Sequence, residues 1–242
     1  MLWRVLFIFF IALGLIPSAS SSAQERLIAA YYPPMMITAE GERNGFSVDI
    51  VQEAARRLGR TTTLEFLPFK RAMKTVQFSD DAIQVSLIRN PTREPLFRWI
   101  AATHQEEMVF LTLGSPIDSL EAARSLSHIG VERGSALDVL LTNNDFDNLE
   151  RVDRPEVNAR KLQSGRIQAW ALAKNTALAT WAEFDFKQPL TAGAPLRQAD
   201  IYIVASLNFR QDIAARYARM VEEMRADGTI DALIASYTSE AP

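Results

Sequence analysis

GFSVDIVQEAARRLGRTTTLEFL, residues 45–67, is the stretch that decides the fold. Phe46, Ile50 and Ala54 recur at every fourth position, a spacing that places apolar side chains on one face of a helix. Gly59 ends this pattern, and residues 61–67 combine β-branched threonines with apolar side chains, which is typical of a strand. A helix that leads directly into a strand predicts an α/β unit.

Apolar runs on both sides extend this unit. Residues 27–32 (LIAAYY) predict a strand before the helix, and residues 82–88 (AIQVSLI) predict another strand after a short helix over residues 69–78. The same alternation starts again with a strand at residues 107–113 and a helix that Ser115 is expected to cap. Strands that alternate with helices favour parallel sheets, so the sequence predicts an α/β fold in two lobes.

Composition narrows the classes of function. The 242 residues carry a formal net charge of -3, which excludes the broad basic field that a nucleic-acid-binding protein needs. Cysteine is absent, so disulfides, thiolate metal sites and a lipid-modified cysteine are excluded. The sequence predicts no metal and no cofactor, because none of the usual metal or phosphate-binding motifs is present.

The N-terminus has the features of an export signal. Twelve apolar residues, 5–16, lie between Arg4 and a run of small residues. Twelve residues are too few to span a bilayer core of about 30 Å. We therefore expect residues 1–23 to be a cleaved signal peptide. The mature protein is then expected in the periplasm, without a membrane anchor.

Seven motifs follow one another along the chain: YYPPM, GFSVDIVQEAARRLG, PFKRA, RNPTREPLFRW, GVERGSA, LQSGRIQAW and RADGTIDALIASY. In this order they resemble the motifs of the periplasmic solute-binding proteins of the amino-acid type, bacterial extracellular solute-binding family 3. The resemblance implies the type II periplasmic binding protein fold, in which two crossing strands join two lobes with a ligand cleft between them. It divides the chain into a first lobe, 24–107 and 201–242, and a second lobe, 108–200.

The resemblance also implies roles for individual residues. Arg93 matches the arginine that holds the ligand carboxylate, and its planar fork suits that group. Tyr32 and Phe69 match aromatic rings over the ligand. Other candidate ligand contacts are Arg71, Ser86, Arg89, Gly134, Ser135, Trp170 and Lys174.

One departure from the family pattern bears on the ligand. Amino-acid binders of the family carry an aspartate for the ligand ammonium, but Ala173 or Lys174 stands at that position. With Arg71, Arg89 and Arg93, a lysine there suggests a ligand with more negative than positive charge. A carboxylate without an α-amino group fits this hypothesis.

The sequence therefore predicts a monomeric binding protein that captures a small carboxylate for the membrane permease of an ABC transporter. A ligand sensor that docks to a membrane receptor is one alternative. A cyclohexadienyl dehydratase-like enzyme is another, but no carboxylate is expected at the matching second-lobe position, so the protein is predicted not to be an enzyme. His104 and His128 are interpreted as structural or surface residues, and Glu106 with Glu107 as a solvent-exposed pair.

Overall fold

The computed structural model of the protein describes residues 24–37, 43–184 and 186–238. The predicted signal peptide, residues 1–23, lies outside these ranges. The strands are β1 (Gln24–Ala29), β2 (Thr61–Phe66), β3 (Ala82–Ile88), β4 (Arg98–Thr112), β5 (Ile129–Glu132), β6 (Leu149–Val152), β7 (Ala169–Ala173), β8 (Thr191–Ala192) and β9 (Arg197–Ala205). The helices are α1 (Phe46–Arg57), α2 (Phe69–Gln77), α3 (Leu120–Ala123), α4 (Ala136–Thr142), α5 (Pro155–Gln163), α6 (Lys174–Ala182), α7 (Gln211–Ala226) and α8 (Thr229–Thr238), and a 3-10 helix covers Glu94–Leu96.

The strands form one sheet in the order β2-β1-β3-β9-β4-β7-β5-β6, with β8 paired to β4. β1 is parallel to β2 and β3, and β5 is parallel to β6 and β7. The predicted parallel units are therefore present on both sides of the molecule. Between them, β4 and β9 run antiparallel to each other and to their outer neighbours.

The strands β4 and β9 join the two lobes. β9 pairs with β3 through residues 201–205, and β4 pairs with β7 through residues 108–111. We call β1–β3 with α1, α2, α7 and α8 the first lobe, and β5–β7 with α3–α6 the second lobe. The fold is the predicted two-lobe α/β fold with two crossing strands. The predicted boundaries between the two lobes, after residues 107 and 200, stay a prediction.

Helix α1 packs as its spacing predicts. Phe46, Ile50 and Ala54 are fully or almost fully buried, and Leu58 follows as the helix C-cap. The next strand, β2, pairs with β1, so helix and strand together form one side of the first lobe. Gly45 precedes α1 with a φ of 101°, and a side chain there would collide with the backbone of Met35 and Met36.

The second lobe has an apolar layer on each face of its sheet, because neighbouring side chains of a strand point to opposite faces. Along β7, Ala169, Ala171 and Ala173 belong to one buried cluster. Trp170 and Leu172 belong to the other cluster, which continues into the first lobe. Within the described residues, no helix is long and apolar enough to span a membrane.

Two predicted elements differ from the structure. Strand β4 begins at Arg98 and has fifteen residues, so it includes most of the segment that precedes the predicted strand at 107–113. Helix α3 is capped by Ser119, whose side chain accepts a hydrogen bond from the Ala122 N–H, and not by Ser115. Serine is a good cap at either position, so the residue type alone could not distinguish them.

Candidate functional site

A cavity of about 60 Å³ lies where the two lobes meet, and we call it the inner cavity. The first lobe contributes the loop after β1, the start of α2 and the end of β3. The second lobe contributes the start of α4 and the end of β7, while Met108 of β4 and Ile201 of β9 come from the crossing strands. Most lining side chains are apolar, among them Met35, Met36, Leu87, Met108, Leu137 and Leu172.

Arg93 is the cation of the inner cavity. The 3-10 helix that follows it ends the polar loop after β3 and turns Arg93 inward, where it is only 5% exposed. Its guanidinium donates to the carbonyl oxygens of Ile88, at 2.8 Å, and Gly134, at 2.7 Å. Its central carbon lies 5.2 Å from the centre of the Phe69 ring. No carboxylate among the described residues forms an ion pair with Arg93.

Burial lowers the pKa of Arg93 to about 10, while the Tyr32 hydroxyl and the Glu132 carboxylate oppose this shift. The guanidinium therefore remains charged at neutral pH. The guanidinium has five N–H groups, and two of them donate to the carbonyl oxygens of Ile88 and Gly134. The other three can donate to an anion. A bidentate pair with a carboxylate would match the planar fork of the guanidinium.

The turn between β5 and α4 faces Arg93 from the second lobe. Gly134 has a φ of 75°, in the left-handed region that glycine adopts without strain. Its N–H donates to the Asp138 carboxylate at 2.7 Å. The Ser135 hydroxyl caps α4 by accepting from the Asp138 N–H at 3.1 Å. The turn thereby holds the Ser135 hydroxyl at the inner cavity and the Gly134 carbonyl against Arg93.

A tyrosine and a glutamate meet across the lobes. The Tyr32 hydroxyl, after β1, donates to the carboxylate of Glu132, the last residue of β5. The Tyr32 ring packs edge-on against Phe69, with ring centres 5.7 Å apart. Burial raises the pKa of Glu132 to about 8, Asp153 and Glu156 raise it further, and Tyr32 and Arg93 act in the opposite direction.

Glu132 is a site residue that the sequence interpretation missed. It is the last residue of HIGVE, residues 128–132, and directly precedes the segment that contains the predicted contacts Gly134 and Ser135. Ligands of α/β proteins bind at the carboxyl ends of strands, so an acidic residue at the end of this strand could have been predicted as a site residue. The second lobe thus offers a carboxylate to the cleft from the end of β5, whereas the expectation that none stands at the position matching a dehydratase stays a prediction.

Five of the predicted ligand contacts line the inner cavity: Tyr32, Phe69, Ser86, Arg93 and Ser135. Gly134 joins them through its carbonyl oxygen, which accepts from Arg93. The structure thus brings together residues from four separate segments of the chain. Whether they bind a ligand stays a prediction.

Two of the predicted arginines lie outside the inner cavity. Arg71 is exposed on α2. Arg89 forms an ion pair with Glu94, with its Nε 2.6 Å from a carboxylate oxygen. The Arg89 guanidinium also lies over the rings of Trp99 and Tyr202, at 5.3 and 5.6 Å. Local partners therefore occupy Arg89.

Trp170 and Lys174 also lie away from the inner cavity. Trp170 is 0% exposed and points to the face of β7 that packs into the core, which corrects its assignment as a ligand contact. Lys174, at the start of α6, forms an ion pair with Glu107 at 3.0 Å. A lysine that is already paired outside the cavity does not support the inference that the ligand is predominantly negative.

A larger cavity, of about 350 Å³, adjoins the inner one, and we call it the outer cavity. Phe69 lines both cavities, and Glu132 lies at the boundary because it bonds to Tyr32 of the inner cavity. The outer cavity is lined by four acidic residues, one arginine and four aromatic residues: Glu132, Asp153, Glu156, Glu183, Arg154, Tyr31, Phe66, Phe69 and Phe184.

The predicted exposed pair at residues 106 and 107 is only half correct. Glu106 lies on β4 and is 2% exposed, because it sits where the crossing strands pass between the lobes. Its carboxylate accepts from the Asn175 side chain at 3.2 Å and lies 3.7 Å from the His104 ring. Burial raises the pKa of Glu106 to about 7 and lowers that of His104 to about 3.

Comparison with protein families gives one match over most of the chain. The model of the bacterial extracellular solute-binding proteins, family 3, matches residues 27–240. No curated protein matches the sequence.

Solved structures resemble the whole two-lobe architecture. A mutant of ArgBP from T. maritima has a TM-score of 0.80 at 20% identity, covering 90% of this chain and 96% of that chain. A histidine kinase sensor domain with similarity to periplasmic binding proteins has a TM-score of 0.81 at 14% identity, with 88% and 96% covered. The GluR0 ligand-binding core from Nostoc punctiforme, in complex with L-glutamate, has a TM-score of 0.77 at 16% identity, with 88% and 99% covered. At these identities the likeness shows the fold alone.

Proposed function

Because the chain belongs to the bacterial extracellular solute-binding proteins of family 3, we propose that it captures a small carboxylate-bearing solute between its lobes. The solute is delivered from the periplasm to the membrane permease of an ABC transporter. The predicted signal peptide and the absence of cysteine support export without a lipid anchor.

The observation that carries this proposal is the buried charge of Arg93. A cation removed from water is costly unless an anion compensates it. Among the described residues, this guanidinium donates to two carbonyl oxygens and lies beside an aromatic ring, and Glu132 favours its charge but forms no ion pair with it. A ligand carboxylate in the inner cavity supplies the missing anion, with a hydrogen bond to a charged group contributing about 1.5 to 3 kcal/mol.

A thermal-shift screen tests the proposal. The exported protein is heated with amino acids, dicarboxylates, keto acids and aliphatic acids, each beside the compound in which an amide replaces the carboxylate. We expect at least one acid, and not its amide, to raise the melting temperature because the ligand binds the folded state. Arg93→Ala should abolish that shift.

Arg89→Ala is the matched control, since it removes the same side chain from a residue that pairs with Glu94 outside the inner cavity. It should leave the shift unchanged. Failure of every acid to stabilise the wild-type protein, or an equal shift in Arg93→Ala, would contradict the proposal.

The partner can be tested separately. Delivery to a permease predicts that membrane components of a transporter co-purify with the ligand-loaded protein. The resemblance to a histidine kinase sensor domain supports the alternative that the loaded protein docks to a receptor. Co-purification with a receptor and no effect on solute uptake after gene deletion would favour that alternative.

Glu132 supports a second candidate function. A buried carboxyl group whose pKa is raised to about 8 is protonated at neutral pH and can act as a general acid. Next to Arg93, its proton would pass to the ring hydroxyl of a cyclohexadienyl acid. The hydroxyl leaves as water while the ring carboxylate leaves as carbon dioxide, and the electron pair of the broken carbon–carbon bond makes the ring aromatic. Incubation with prephenate or arogenate tests this: product formation that Glu132→Gln abolishes would establish a dehydratase. Recovery of the acid unchanged would support the proposal that the chain is a binding protein.

A further inference from the structure

The outer cavity has the charge of a cation site. Its lining includes the carboxylates of Glu132, Asp153, Glu156 and Glu183 but only one guanidinium, that of Arg154. Arg154 pairs with Glu156 at 3.2 Å, Arg133 pairs with Asp153 at 3.3 Å, and Glu183 accepts from the Tyr31 hydroxyl. Among the described residues, Glu132 is the one of these four acids that is almost fully buried and forms no ion pair. The aromatic rings beside these acids offer faces that attract a cation.

Glu132 supplies an observation that is independent of the acidic composition. It is 3% exposed, and one of its carboxylate oxygens accepts from the Tyr32 hydroxyl. Among the described residues, neither a hydrogen-bond donor to its second oxygen nor a cation in an ion pair with it is present. A carboxylate that is almost fully buried and whose hydrogen-bond donor is a neutral hydroxyl is costly to ionise at the boundary of a cavity unless a cation compensates it.

We propose that Glu132 binds an ammonium or guanidinium group of the ligand in the outer cavity. The protein then selects carboxylic acids that carry a cation at the far end of the chain. This inference rests on the proposed function, because the carboxylate end of the same ligand is held by Arg93.

The lining of the inner cavity explains why the cation lies at the far end. Apart from the turn at Ser135, the second lobe lines the inner cavity with the side chains of Ala136, Leu137 and residues 171–173, none of which accepts a hydrogen bond. An α-ammonium beside the carboxylate would therefore lack a negative partner there. The acids begin only beyond Phe69, which lines both cavities.

Three five-carbon acids test the inference by isothermal titration calorimetry at pH 8.5. Pentanoate has no cation, 5-aminopentanoate has an ammonium at the far end, and 2-aminopentanoate has it beside the carboxylate. We expect 5-aminopentanoate to bind at least about tenfold more tightly than pentanoate, as a charged hydrogen bond implies. The 2-amino isomer should bind no more tightly than pentanoate.

Substitutions test whether Glu132 causes the preference for 5-aminopentanoate over pentanoate. Glu132→Gln should bring the ratio of the two affinities close to one while pentanoate still binds, which also shows that the site is formed. Glu121→Gln removes the same charge from a second-lobe side chain that is 89% exposed, and it should retain the wild-type ratio. Glu132→Asp keeps the charge and should retain part of the preference for 5-aminopentanoate. This variant still tests the proposal if Glu132→Gln folds poorly.

The outcomes separate the two levels of the proposal. Equal binding of pentanoate and 5-aminopentanoate, or an unchanged ratio in Glu132→Gln, would overturn the cation site but leave the carboxylate site intact. Tighter binding of 2-aminopentanoate would also overturn it, since the cation would then lie beside Arg93. Binding of none of the acids would contradict the proposed function and, with it, this inference.

Discussion

Two buried ionisable groups that form no ion pair among the described residues dominate the site. Arg93 faces carbonyl oxygens and Phe69, and Glu132 faces the Tyr32 hydroxyl. A buried ionised group without an ionic partner destabilises a folded protein, so neither residue is explained by packing alone. Their position on adjoining cavities between the lobes makes them the strongest candidates for ligand recognition.

The protonation of Glu132 predicts how affinity depends on pH. Its neighbours are Tyr32 after β1, Arg93 after β3, and Asp153 and Glu156 from the second lobe, and burial is the main cause of its pKa of about 8. A ligand ammonium, which stays charged below about pH 10, binds the ionised carboxylate. The affinity for 5-aminopentanoate should rise between pH 6 and pH 8, by at most about tenfold per pH unit, and then level off.

Calorimetry in buffers with different ionisation enthalpies measures the accompanying proton. At pH 7 the binding of 5-aminopentanoate should release protons from the wild-type protein but not from Glu132→Gln. An affinity that is flat from pH 6 to pH 8, with no proton release, would show that Glu132 is not the group that meets the cation.

Glu106 makes a separate prediction about stability. Its folded-state pKa of about 7 lies above its ordinary value of 4.5, so the folded protein binds more protons between these values. Its contribution to the free energy of unfolding is therefore present below pH 4.5 and is lost as the pH rises through 7. Glu106→Gln should stabilise the protein at pH 8, by at most on the order of 3 kcal/mol, and have little effect near pH 5.

Urea denaturation at both pH values checks this prediction. At pH 8 His104 is neutral in the folded and unfolded states, since burial lowers its folded pKa to about 3. Glu107→Gln is the control because Glu107 is partly exposed and pairs with Lys174. A glutamine variant at position 106 that is less stable than wild type at pH 8 would mean that the Asn175 hydrogen bond outweighs the cost of burial.

Residue identity predicted only part of the site. Arg93, Tyr32 and Phe69 reach the inner cavity because they follow the ends of strands or begin the next helix. Arg89 is of the same residue type and only four positions from Arg93, but it pairs with Glu94 instead. Whether an arginine of this loop reaches the inner cavity depends on which side of the loop faces the second lobe. A single sequence does not contain that information.

At the scale of elements, the turn before α4 links local structure to the site. The Ser135 side chain caps the helix and also lines the inner cavity. Periodicity predicted this turn because a short β-rich run ends at Glu132 and an apolar run begins directly after Ser135. The exact length of β4 was less predictable, because charged and polar side chains, among them Arg98, Thr103, His104 and Gln105, interrupt the apolar pattern of its first half.

Substitution of Ser135 separates its two roles. Ser135→Ala should lower the free energy of unfolding by about 1 kcal/mol through loss of the cap. Ser135→Asp should keep the cap, and therefore the stability, but weaken carboxylate binding because it adds a second anion to the inner cavity. Urea denaturation and calorimetry with the same acid measure the two effects.

Ser119→Ala removes the equivalent cap from α3, which does not line the inner cavity. It should leave ligand affinity unchanged. An aspartate at position 135 that binds the acid as tightly as wild type would show that Ser135 serves only the helix.

At the scale of the whole molecule, the alternation of strands and helices and the order of the motifs predicted the two lobes and their crossing strands. Pairing along the sheet could not be predicted in detail, because it depends on contacts such as those between β4 and β9 that are distant in sequence. Among the described residues, three hydrogen bonds join the lobes across the cavities: Tyr31 to Glu183, Tyr32 to Glu132 and Arg93 to the Gly134 carbonyl. We expect these contacts to break when the cleft opens for a solute.

Movement of the lobes can be measured by small-angle X-ray scattering. We expect the radius of gyration to fall when a confirmed ligand saturates the protein, since closure around the crossing strands buries the ligand. Arg93→Ala at the same ligand concentration should show no compaction. An unchanged radius in the fully bound wild-type protein would contradict closure by a hinge.

The most direct test of carboxylate capture is an NMR titration that observes the Arg93 guanidinium. Its ¹⁵N–¹H signals are assigned as those that disappear in Arg93→Lys. Addition of a stabilising acid should shift these signals with the same dissociation constant that calorimetry gives, and the matched amide should leave them unchanged. Binding heat without any change at the Arg93 signals would contradict the account, because the solute would then bind somewhere other than the cavity between the lobes.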